Sequence, residues 1–237
     1  MQTPPGTGQM NSISEIGAMH DYSTPRLNVA APYFEGRSTH GLVRLSDYAG
    51  KWLVFFAHPA DFTPVCSSEF VAFAKHEPQF NALNCKLLGL SIDSVYAHLA
   101  WRESLHERFH ADIGFPIIAD ISQQISRRYG MVHPAGIGEE EVRALFVIDP
   151  VGLLRAMLYY PTTTGRSVLE VLRLVQALQT ADREHAVTPE GWQPGNEVVE
   201  PPPQTAAATE ARRGVSYGCV DWYYYKRPVS ELSSPRS

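Results

Sequence analysis

Cysteine is scarce in this chain: only Cys66, Cys85 and Cys219 occur among its 237 residues. Small secreted domains that depend on disulfides carry more cysteines at closer spacing, so a disulfide framework is excluded. We therefore expect a reducing cytoplasmic compartment, where each cysteine is either buried filler or a working thiol.

Long apolar runs and a basic surplus are also missing. No run approaches the roughly 18 residues of a membrane helix, and residues 1–23 contain no Lys or Arg ahead of an apolar stretch, which argues against a signal peptide. The net charge is −5, so neither nucleic acid nor an anionic membrane is the expected partner. With 44% hydrophobic residues the chain has enough material for a packed core. A small-molecule substrate is the expectation.

Apolar patterning indicates alternating strands and helices. The predicted strands are short apolar runs at 52–57, 86–92, 116–119, 143–148 and 153–159. The first predicted helix begins at residue 64, and three further helices are predicted over about 94–110, 122–129 and 167–181. Elements alternating at these lengths predict an α/β fold with a mixed central sheet flanked by helices.

Composition divides the chain into three parts. Residues 1–24 are rich in Gly, Pro, Ser and Thr and are expected to form a mobile extension. Residues 25–183 are expected to form the folded domain. Prolines are frequent in 184–237, which predicts an extended C-terminal arm. The arm contains the aromatic run 222–225, which needs a surface on this subunit or on a neighbour.

Cys66 is the most informative residue. Thr63 is a suitable N-cap and Pro64 suits the first helical position, which places Cys66 in the first turn of a helix. Unpaired backbone N–H groups and the helix dipole favour a thiolate there, so a reactive cysteine is one interpretation. A small buried hydrophobe is the other, and position alone does not separate the two.

The surrounding residues resemble a known active-site signature. Pro59, Thr63 and Cys66 form the pattern Pro-x-x-x-Thr-x-x-Cys within His58-Pro-Ala-Asp-Phe-Thr-Pro-Val-Cys66. This closely resembles the signature of peroxiredoxins, and the resemblance covers about residues 26–228, through the segments 91–94, 115–120, 143–150 and 160–166. It implies a thioredoxin-like fold and a cofactor-free peroxidase that reduces hydrogen peroxide and organic hydroperoxides to water and alcohols through a sulfenic acid, in antioxidant defence.

The resemblance also implies roles for individual residues. Cys66 would be the attacking (peroxidatic) cysteine, Thr63 would give its hydroxyl to the peroxide, Pro59 would shield the thiolate, and Arg143 would hold the thiolate and the substrate oxygens. A hydroxyl and a guanidinium are suitable donors for charge that develops on a leaving oxygen. Without the motif, Arg143 would be interpreted as an exposed charge at the end of a strand.

Four more residues lie near these positions in the pattern. His58 and Arg166 match the family pattern as pocket residues that contact substrate, and each could equally be a structural hydrogen-bond partner. Glu69 and Asp120 are expected to be charges on a helix face and at a strand end.

The subgroup that the chain resembles is the one-cysteine, peroxiredoxin-six-like one, through Pro64-Val65-Cys66 and the long arm. Ser67-Ser68 stands where Thr-Thr is usual, and residues 30–34 lack the serine of a Gly-x-Ser-x-Gly lipase motif, so phospholipase activity is not carried over. The implied partners are an external thiol reductant, either thioredoxin-like or a small thiol, and further copies of the chain. The implied assembly is a homodimer, with five dimers gathered into a decamer.

Cys219 is a possible resolving cysteine, because an accessible thiol on an arm can react with the Cys66 sulfenic acid. The segment 219–225 resembles a family segment with a cysteine at each end, of which the second is credited with resolution, and here that position is Tyr225. Direct reduction of Cys66 by an external thiol is the alternative. Cys85 opens an apolar strand and is expected to be core.

Three other function classes were weighed. A Cys-x-x-Cys oxidoreductase is excluded, because Thr63 occupies the position of the first cysteine. His106-Glu107-Arg-Phe-His110 matches the His-Glu-x-x-His pattern of zinc hydrolases, but no third ligand stands out, so a chance match on a solvated helix face is expected and no metal site is predicted. A non-enzymatic holdase or scaffold that binds partners through the aromatic arm is the third class.

Overall fold

In the computed structural model of the chain, residues 25–134, 139–215 and 217–230 are described. The extension predicted for residues 1–24 lies outside the described residues, as does the end of the predicted arm, 231–237.

The described residues contain the five predicted strands and the four predicted helices, together with seven further strands and one further helix that were not predicted. The strands are β1 Glu35–Ser38, β2 Gly41–Arg44, β3 Trp52–Ala57, β4 Cys85–Ser91, β5 Ile117–Ala119, β6 Val132–Pro134, β7 Glu139–Glu141, β8 Arg143–Ile148, β9 Leu154–Tyr160, β10 Val198–Val199, β11 Cys219–Asp221 and β12 Tyr224–Arg227. The helices are α1 Pro64–Ala82, α2 Val95–Phe109, α3 Gln124–Arg128, α4 Val168–Glu184 and α5 Ala206–Arg213.

Seven strands form one mixed sheet in the order β2-β1-β5-β4-β3-β8-β9. Strands β3, β4 and β5 are parallel to one another, and the remaining neighbours are antiparallel. The parallel neighbours are joined by the helical crossovers α1 and α2, as parallel strands require. This confirms the predicted α/β architecture.

Two hydrophobic cores cover the two faces of the sheet, and β3 contributes to both. Val54 and Phe56 point into the core formed with α1, α2 and α4, whereas Leu53 and Phe55 point into the opposite core beside Tyr129. All six residues of β3 are buried, as its continuous apolar run predicts.

Strand pairing brings two distant parts of the chain together where neighbouring strands end. β3 and β8 are antiparallel, so the start of β8 lies beside the end of β3. The end of β3 leads through residues 58–63 into α1, and β8 begins with Arg143. The start of α1 and the predicted arginine therefore lie close together at this end of the two strands.

The extended arm was only partly correct as a prediction. The arm contains α5 and a small sheet in the order β10-β12-β11. Its prolines lie between these elements, and Thr205 is the N-cap of α5, where its hydroxyl accepts a hydrogen bond from Ala208 N at 3.2 Å. An N-cap followed by three alanines is a helix signal that the neighbouring prolines obscured.

Candidate active site

Cys66 lies in the first turn of α1, with Thr63 at the N-cap and Pro64 opening the helix. Its side chain is fully buried, and Arg143 Nη1 donates a hydrogen bond to Cys66 Sγ at 3.3 Å. The helix start and the guanidinium thus present two sources of positive charge to one sulfur atom.

Arg143 is itself held in place from two sides. Its Nε and Nη2 donate to the carbonyl oxygen of Thr162 at 2.9 and 2.8 Å, and Nη1 also donates to Glu69 Oε2 at 3.0 Å. Only 2% of Arg143 is exposed, so the alternative interpretation as an exposed strand-end charge is wrong. Fixed on three acceptors, the guanidinium keeps its orientation toward the sulfur.

Glu69 is buried between two arginines, and its prediction as a helix-face charge is wrong. It lies three residues after Cys66 on the same face of α1, and it accepts hydrogen bonds from Arg143 and from Arg166 Nε, Nη2 and backbone N at 2.7–2.8 Å for Arg166. Burial works to raise the pKa of Glu69, but the hydrogen bonds and charge of Arg166, with Arg143, hold that pKa below its ordinary value. Glu69 is therefore the anion that pairs with both guanidiniums.

Thr63 lies at the mouth of the site and is partly exposed. Its hydroxyl does not cap α1; it donates to the carbonyl oxygen of Ala60 at 2.9 Å, and the Thr63 carbonyl accepts the first helical bond, from Ser67 N. Because a hydroxyl has one proton, Thr63 in this conformation offers its lone pairs to a hydroperoxide O–H, and it must leave Ala60 before it can donate.

Pro59 and His58 sit in the turn that precedes α1. Pro59 is half-buried, whereas His58 is fully buried with Nε2 at 2.8 Å from Asp61 Oδ1. Burial lowers the pKa of His58, with Asp61 acting in the opposite direction. His98, from α2, lies on the other oxygen of Asp61 at 2.7 Å. Sequence reasoning missed Asp61 and His98, because 37 positions separate them and no local motif joins them.

A second buried carboxyl cluster lies past the end of β5. Asp120 follows that strand as predicted but is buried, and its Oδ2 accepts hydrogen bonds from Ser126 N and Oγ. Ser126 Oγ also lies 2.6 Å from Glu141 Oε1. A hydroxyl has one proton for these two carboxyls, so one of them carries a proton. Burial raises the pKa of Glu141 to about 8, reinforced by the charges of Asp120 and Asp93, which makes Glu141 the protonated member.

The His-Glu-x-x-His match does not form a metal site. His106 Nδ1 contacts Asp112 Oδ1 at 2.6 Å on a largely exposed surface, and His110 is the C-cap of α2 in the left-handed region. Within the described ranges, the one group of three residues with metal-ligand spacing is elsewhere, at His58, Asp61 and His98. The zinc-hydrolase alternative is not supported.

The other two cysteines differ in accessibility. Cys85 is fully buried in β4, and burial raises its pKa to about 12, in agreement with a core role. Cys219 is half-buried at the start of β11, and its sulfur lies 3.4 and 3.5 Å from the carbonyl oxygens of Arg212 and Asp221, either of which can accept its single proton. It faces Tyr225 across the strand pair, so the two ends of the segment 219–225 are neighbours.

Comparison with known proteins assigns both parts of the chain to families. The AhpC/TSA family model matches residues 27–157, and the model of the C-terminal domain of 1-Cys peroxiredoxin matches residues 177–213. A peroxiredoxin of Aquifex aeolicus is 49% identical over 222 residues, which cover 89% of this chain and all of the relative. Peroxiredoxin 2 of Caldanaerobacter subterraneus is 45% identical over 206 residues, covering 86% of this chain and 93% of the relative.

Solved structures give the same result. Yeast mitochondrial 1-Cys peroxiredoxin aligns with a TM-score of 0.78 at 38% identity, over 86% of this chain and all of that one. A cysteine-to-serine mutant of the peroxiredoxin 6 of Arenicola marina aligns with a TM-score of 0.77 at 32% identity, over 87% of this chain and 99% of that one. In the described part of the chain, every helix is too short or too polar to cross a lipid bilayer.

Proposed function

The chain belongs to the peroxiredoxin family, with its thioredoxin-like fold, and is therefore a thiol peroxidase; we propose that Cys66 is the residue that attacks the peroxide. The observation that carries this proposal is the contact between Arg143 Nη1 and Cys66 Sγ at 3.3 Å, at the start of α1. A buried cysteine that only filled space would have no need of a guanidinium on its sulfur.

The proposed reaction is a displacement on the O–O bond. The Cys66 thiolate attacks the terminal oxygen of the hydroperoxide, an S–O bond forms, the O–O bond breaks, and the leaving oxygen takes a proton to become water or an alcohol. Sulfur is oxidised to the sulfenic acid, and the peroxide oxygens are reduced. Arg143 stabilises the thiolate and the charge that develops on the oxygens, and Thr63 orients the peroxide through its hydroxyl.

Pro59, His58 and Arg166 complete the proposed site at a greater distance from the reacting atoms. Pro59 is half-buried beside the turn and shields the thiolate from water. His58 and Arg166 were predicted to contact substrate; both are buried, and their hydrogen bonds to Asp61 and Glu69 support a role in holding the pocket.

Reduction of the Cys66 sulfenic acid needs a second thiol. Cys85 is buried with a raised pKa, so within the assembly the candidate is Cys219. The other route is an external thiol, and the structure of the yeast relative concerns thiol resolution through the glutathione and thioredoxin systems. A non-reducing gel after one equivalent of peroxide separates the routes: Cys219 resolution gives a covalent dimer that is lost in both Cys66→Ser and Cys219→Ser.

We also propose that residues 25–183 are the peroxidase domain and that the arm, 184–237, crosses onto a partner in a homodimer, with five dimers in a decamer. In support, Tyr217, Val220 and Tyr223 of the arm are more than half exposed, and apolar side chains grouped in this way suit a protein interface. Light scattering should give at least twice the 26.4 kDa mass of one chain, and a monomer at micromolar concentration contradicts the proposal. The scarcity of cysteine supports a reducing, cytoplasmic location.

The decisive experiment is a peroxide titration of the reduced protein, with mass-spectrometric mapping of the oxidised cysteine. Cys66→Ser should lose all but about a hundredth of the activity or less, because a serine hydroxyl is not ionised at neutral pH. Cys85→Ser is the matched control, since it removes a buried thiol away from Arg143. Oxidation mapped to Cys85 or Cys219 in place of Cys66 would overturn the assignment.

A further inference from the structure

Three buried polar residues support the turn that leads into α1. His58 and Asp61 belong to the turn, and His98 reaches it from α2. Asp61 Oδ1 lies 2.8 Å from His58 Nε2, and Oδ2 lies 2.7 Å from His98 Nδ1. The side chains of all three are at most 1% exposed. Such a network is expensive to bury unless every hydrogen bond is satisfied, so it calls for a reason.

Proton counting defines the state of His98. Its Nε2 lies 3.2 Å from the carbonyl oxygen of Ile118, which can only accept, so Nε2 carries a hydrogen. Its Nδ1 faces Asp61. Burial works to raise the pKa of Asp61, but the hydrogen bonds from the two imidazoles hold that pKa below its ordinary value, so the carboxylate is ionised. His98 therefore donates from both nitrogens and is an imidazolium.

His58 is the neutral member of the group. Its Nε2 donates to Asp61, and its Nδ1 has no hydrogen-bond partner among the described residues. The ring packs against Phe70 and Trp101, with ring centroids 4.7 and 5.1 Å away. The network thus contains one anion, one cation and one neutral ring, and its net charge is zero.

The distances fit protons and do not fit a metal ion. Zinc bonds of roughly 2.0–2.1 Å place tetrahedral ligand atoms about 3.3 Å apart. The oxygen–nitrogen distances at Asp61 are 2.7 and 2.8 Å, which are ordinary values for charge-assisted hydrogen bonds.

The turn needs such support because its backbone is strained. Phe62 has a φ of 56°, in the left-handed region that a bulky residue rarely adopts, and its side chain is exposed. It lies between Asp61 and Thr63, so whatever fixes Asp61 also fixes the approach of Thr63 to the site. The backbone N–H of Asp61 adds a further anchor, a hydrogen bond to Asp93 Oδ2 at 2.9 Å.

We propose that Asp61 and His98 are positioning residues for peroxide reduction: hydrogen-bonded as a pair, they tie the turn that carries Pro59 and Thr63 to α2 and to β5. This rests on the proposed function, because it concerns how the site around Cys66 keeps the geometry that an aligned peroxide requires. Their side chains bond to each other, to His58 and to the carbonyl oxygen of Ile118, whereas Cys66 contacts Arg143, so Asp61 and His98 act through the turn.

The test compares variants that break the network with one that keeps it. In Asp61→Asn, the amide oxygen still accepts from His58, the amide N–H donates to a neutral His98, and His98 Nε2 still donates to Ile118. All three hydrogen bonds survive, so the rate constant for hydrogen peroxide should stay within about a factor of five of wild type. His98→Ala and Asp61→Ala each remove two of the three, including the bond between Asp61 and His98 that joins the turn to α2. The rate constant should therefore fall about 10²-fold, the scale of a misplaced reacting group.

A second readout separates positioning from loss of fold. Alkylation of Cys66 by iodoacetamide needs the thiolate but no aligned peroxide, so it should fall much less than the peroxide rate in His98→Ala. Nitrogen NMR of histidine-labelled protein should show both ring nitrogens of His98 protonated in wild type and only Nε2 protonated in Asp61→Asn. His106→Ala is the matched control, because His106 is on the same helix and also contacts an aspartate, but on an exposed surface.

Two results would overturn the proposal. One is a wild-type peroxide rate constant in His98→Ala and Asp61→Ala, and the other is an Asp61→Asn variant as slow as Asp61→Ala. Both results differ from failure of the proposed function. In that case the Cys66→Ser variant would still consume peroxide at the wild-type rate.

Discussion

Replacement of Glu69 by glutamine removes the only carboxylate that the described structure places between Arg143 and Arg166. The amide is nearly the same size as the carboxylate, so packing is preserved and the change is electrostatic. The amide oxygen can replace Oε1 and still accept from Arg166 N and Nε. In wild type, Arg143 Nη1 and Arg166 Nη2 both donate to Oε2. In the variant the amide nitrogen replaces Oε2, and because it is itself a donor, neither of these two hydrogen bonds can form.

The expected cost follows from those two lost bonds. Hydrogen bonds to charged groups contribute about 1.5–3 kcal/mol each, so losing two costs about 3–6 kcal/mol. The usual cost of removing one partner of a buried ion pair, about 3–5 kcal/mol, lies in the same range. We therefore expect Glu69→Gln to lower the free energy of unfolding by about 3–5 kcal/mol.

Urea denaturation followed by circular dichroism measures this, and Glu170→Gln is the matched control. Glu170 accepts a bidentate pair of hydrogen bonds from Arg173 at 2.6 and 2.7 Å, but its side chain is 43% exposed. An exposed pair of this kind contributes less than about 1 kcal/mol. The two substitutions are chemically identical, so the difference between them measures the combined effect of burial and of the second arginine at Glu69.

Acid should reduce the difference between wild type and Glu69→Gln. Because the folded pKa of Glu69 is below its ordinary value, its contribution is complete above about pH 4.5 and is lost as the pH falls through the folded pKa. The reasoning is refuted if Glu69→Gln costs no more than Glu170→Gln at pH 7.

Three further changes have expected outcomes of their own. Arg143→Lys should slow peroxide reduction about 10²-fold in stopped-flow assays, because an ammonium cannot hold Cys66, Glu69 and the Thr162 carbonyl together, and a near-normal rate contradicts this. Glu141→Gln should raise the free energy of unfolding more at pH 8 than at pH 5, by at most about 5 kcal/mol. The wild-type carboxyl stays protonated up to its folded pKa of about 8, whereas the carboxyl of the unfolded chain ionises near 4.5. The stability of the wild-type protein therefore falls as the pH rises between these two values. Equal gains at both pH values would show that Glu141 is already ionised. Glu184→Ala should increase proteolytic cleavage of the arm, because the buried carboxylate accepts hydrogen bonds from Arg227 Nη1 and Ser230 Oγ, and an unchanged cleavage pattern would mean that other contacts hold the arm.

The elements around Cys66 were predictable because their signals are local. The continuous apolar run of β3, the Thr63–Pro64 helix start and the position of Cys66 all lie within 15 residues, and the structure has them as predicted. Glu69 was missed although its spacing of three from Cys66 placed it on the same helix face. That spacing was the available signal, and it outweighs the general preference of glutamate for solvent.

The support of the turn could not be predicted in the same way. His98 meets Asp61 across 37 positions, and only the parallel pairing of β3, β4 and β5 brings α2 to the turn. No periodicity or local motif records a contact of that kind. The prediction of an extended arm was incomplete for a different reason. The prolines of the arm lie between its strands and helix and do not prevent them from forming. Composition alone does not distinguish prolines between elements from prolines in an extended chain.

The antiparallel pairing of β3 with β8 has a consequence during protein synthesis. Cys66 precedes Arg143 by 77 positions, and Glu69 precedes Arg166 by 97. A ribosome therefore releases the cysteine well before the arginine that contacts its sulfur and the arginine that pairs with Glu69, and contacts over such separations form late. Until the sheet closes, a nascent or truncated chain has Cys66 without the guanidinium contact on which its proposed attack on peroxide rests. Under the proposed function, reaction with peroxide therefore follows closure of the sheet and not the interval in which an oxidised cysteine would interfere with folding.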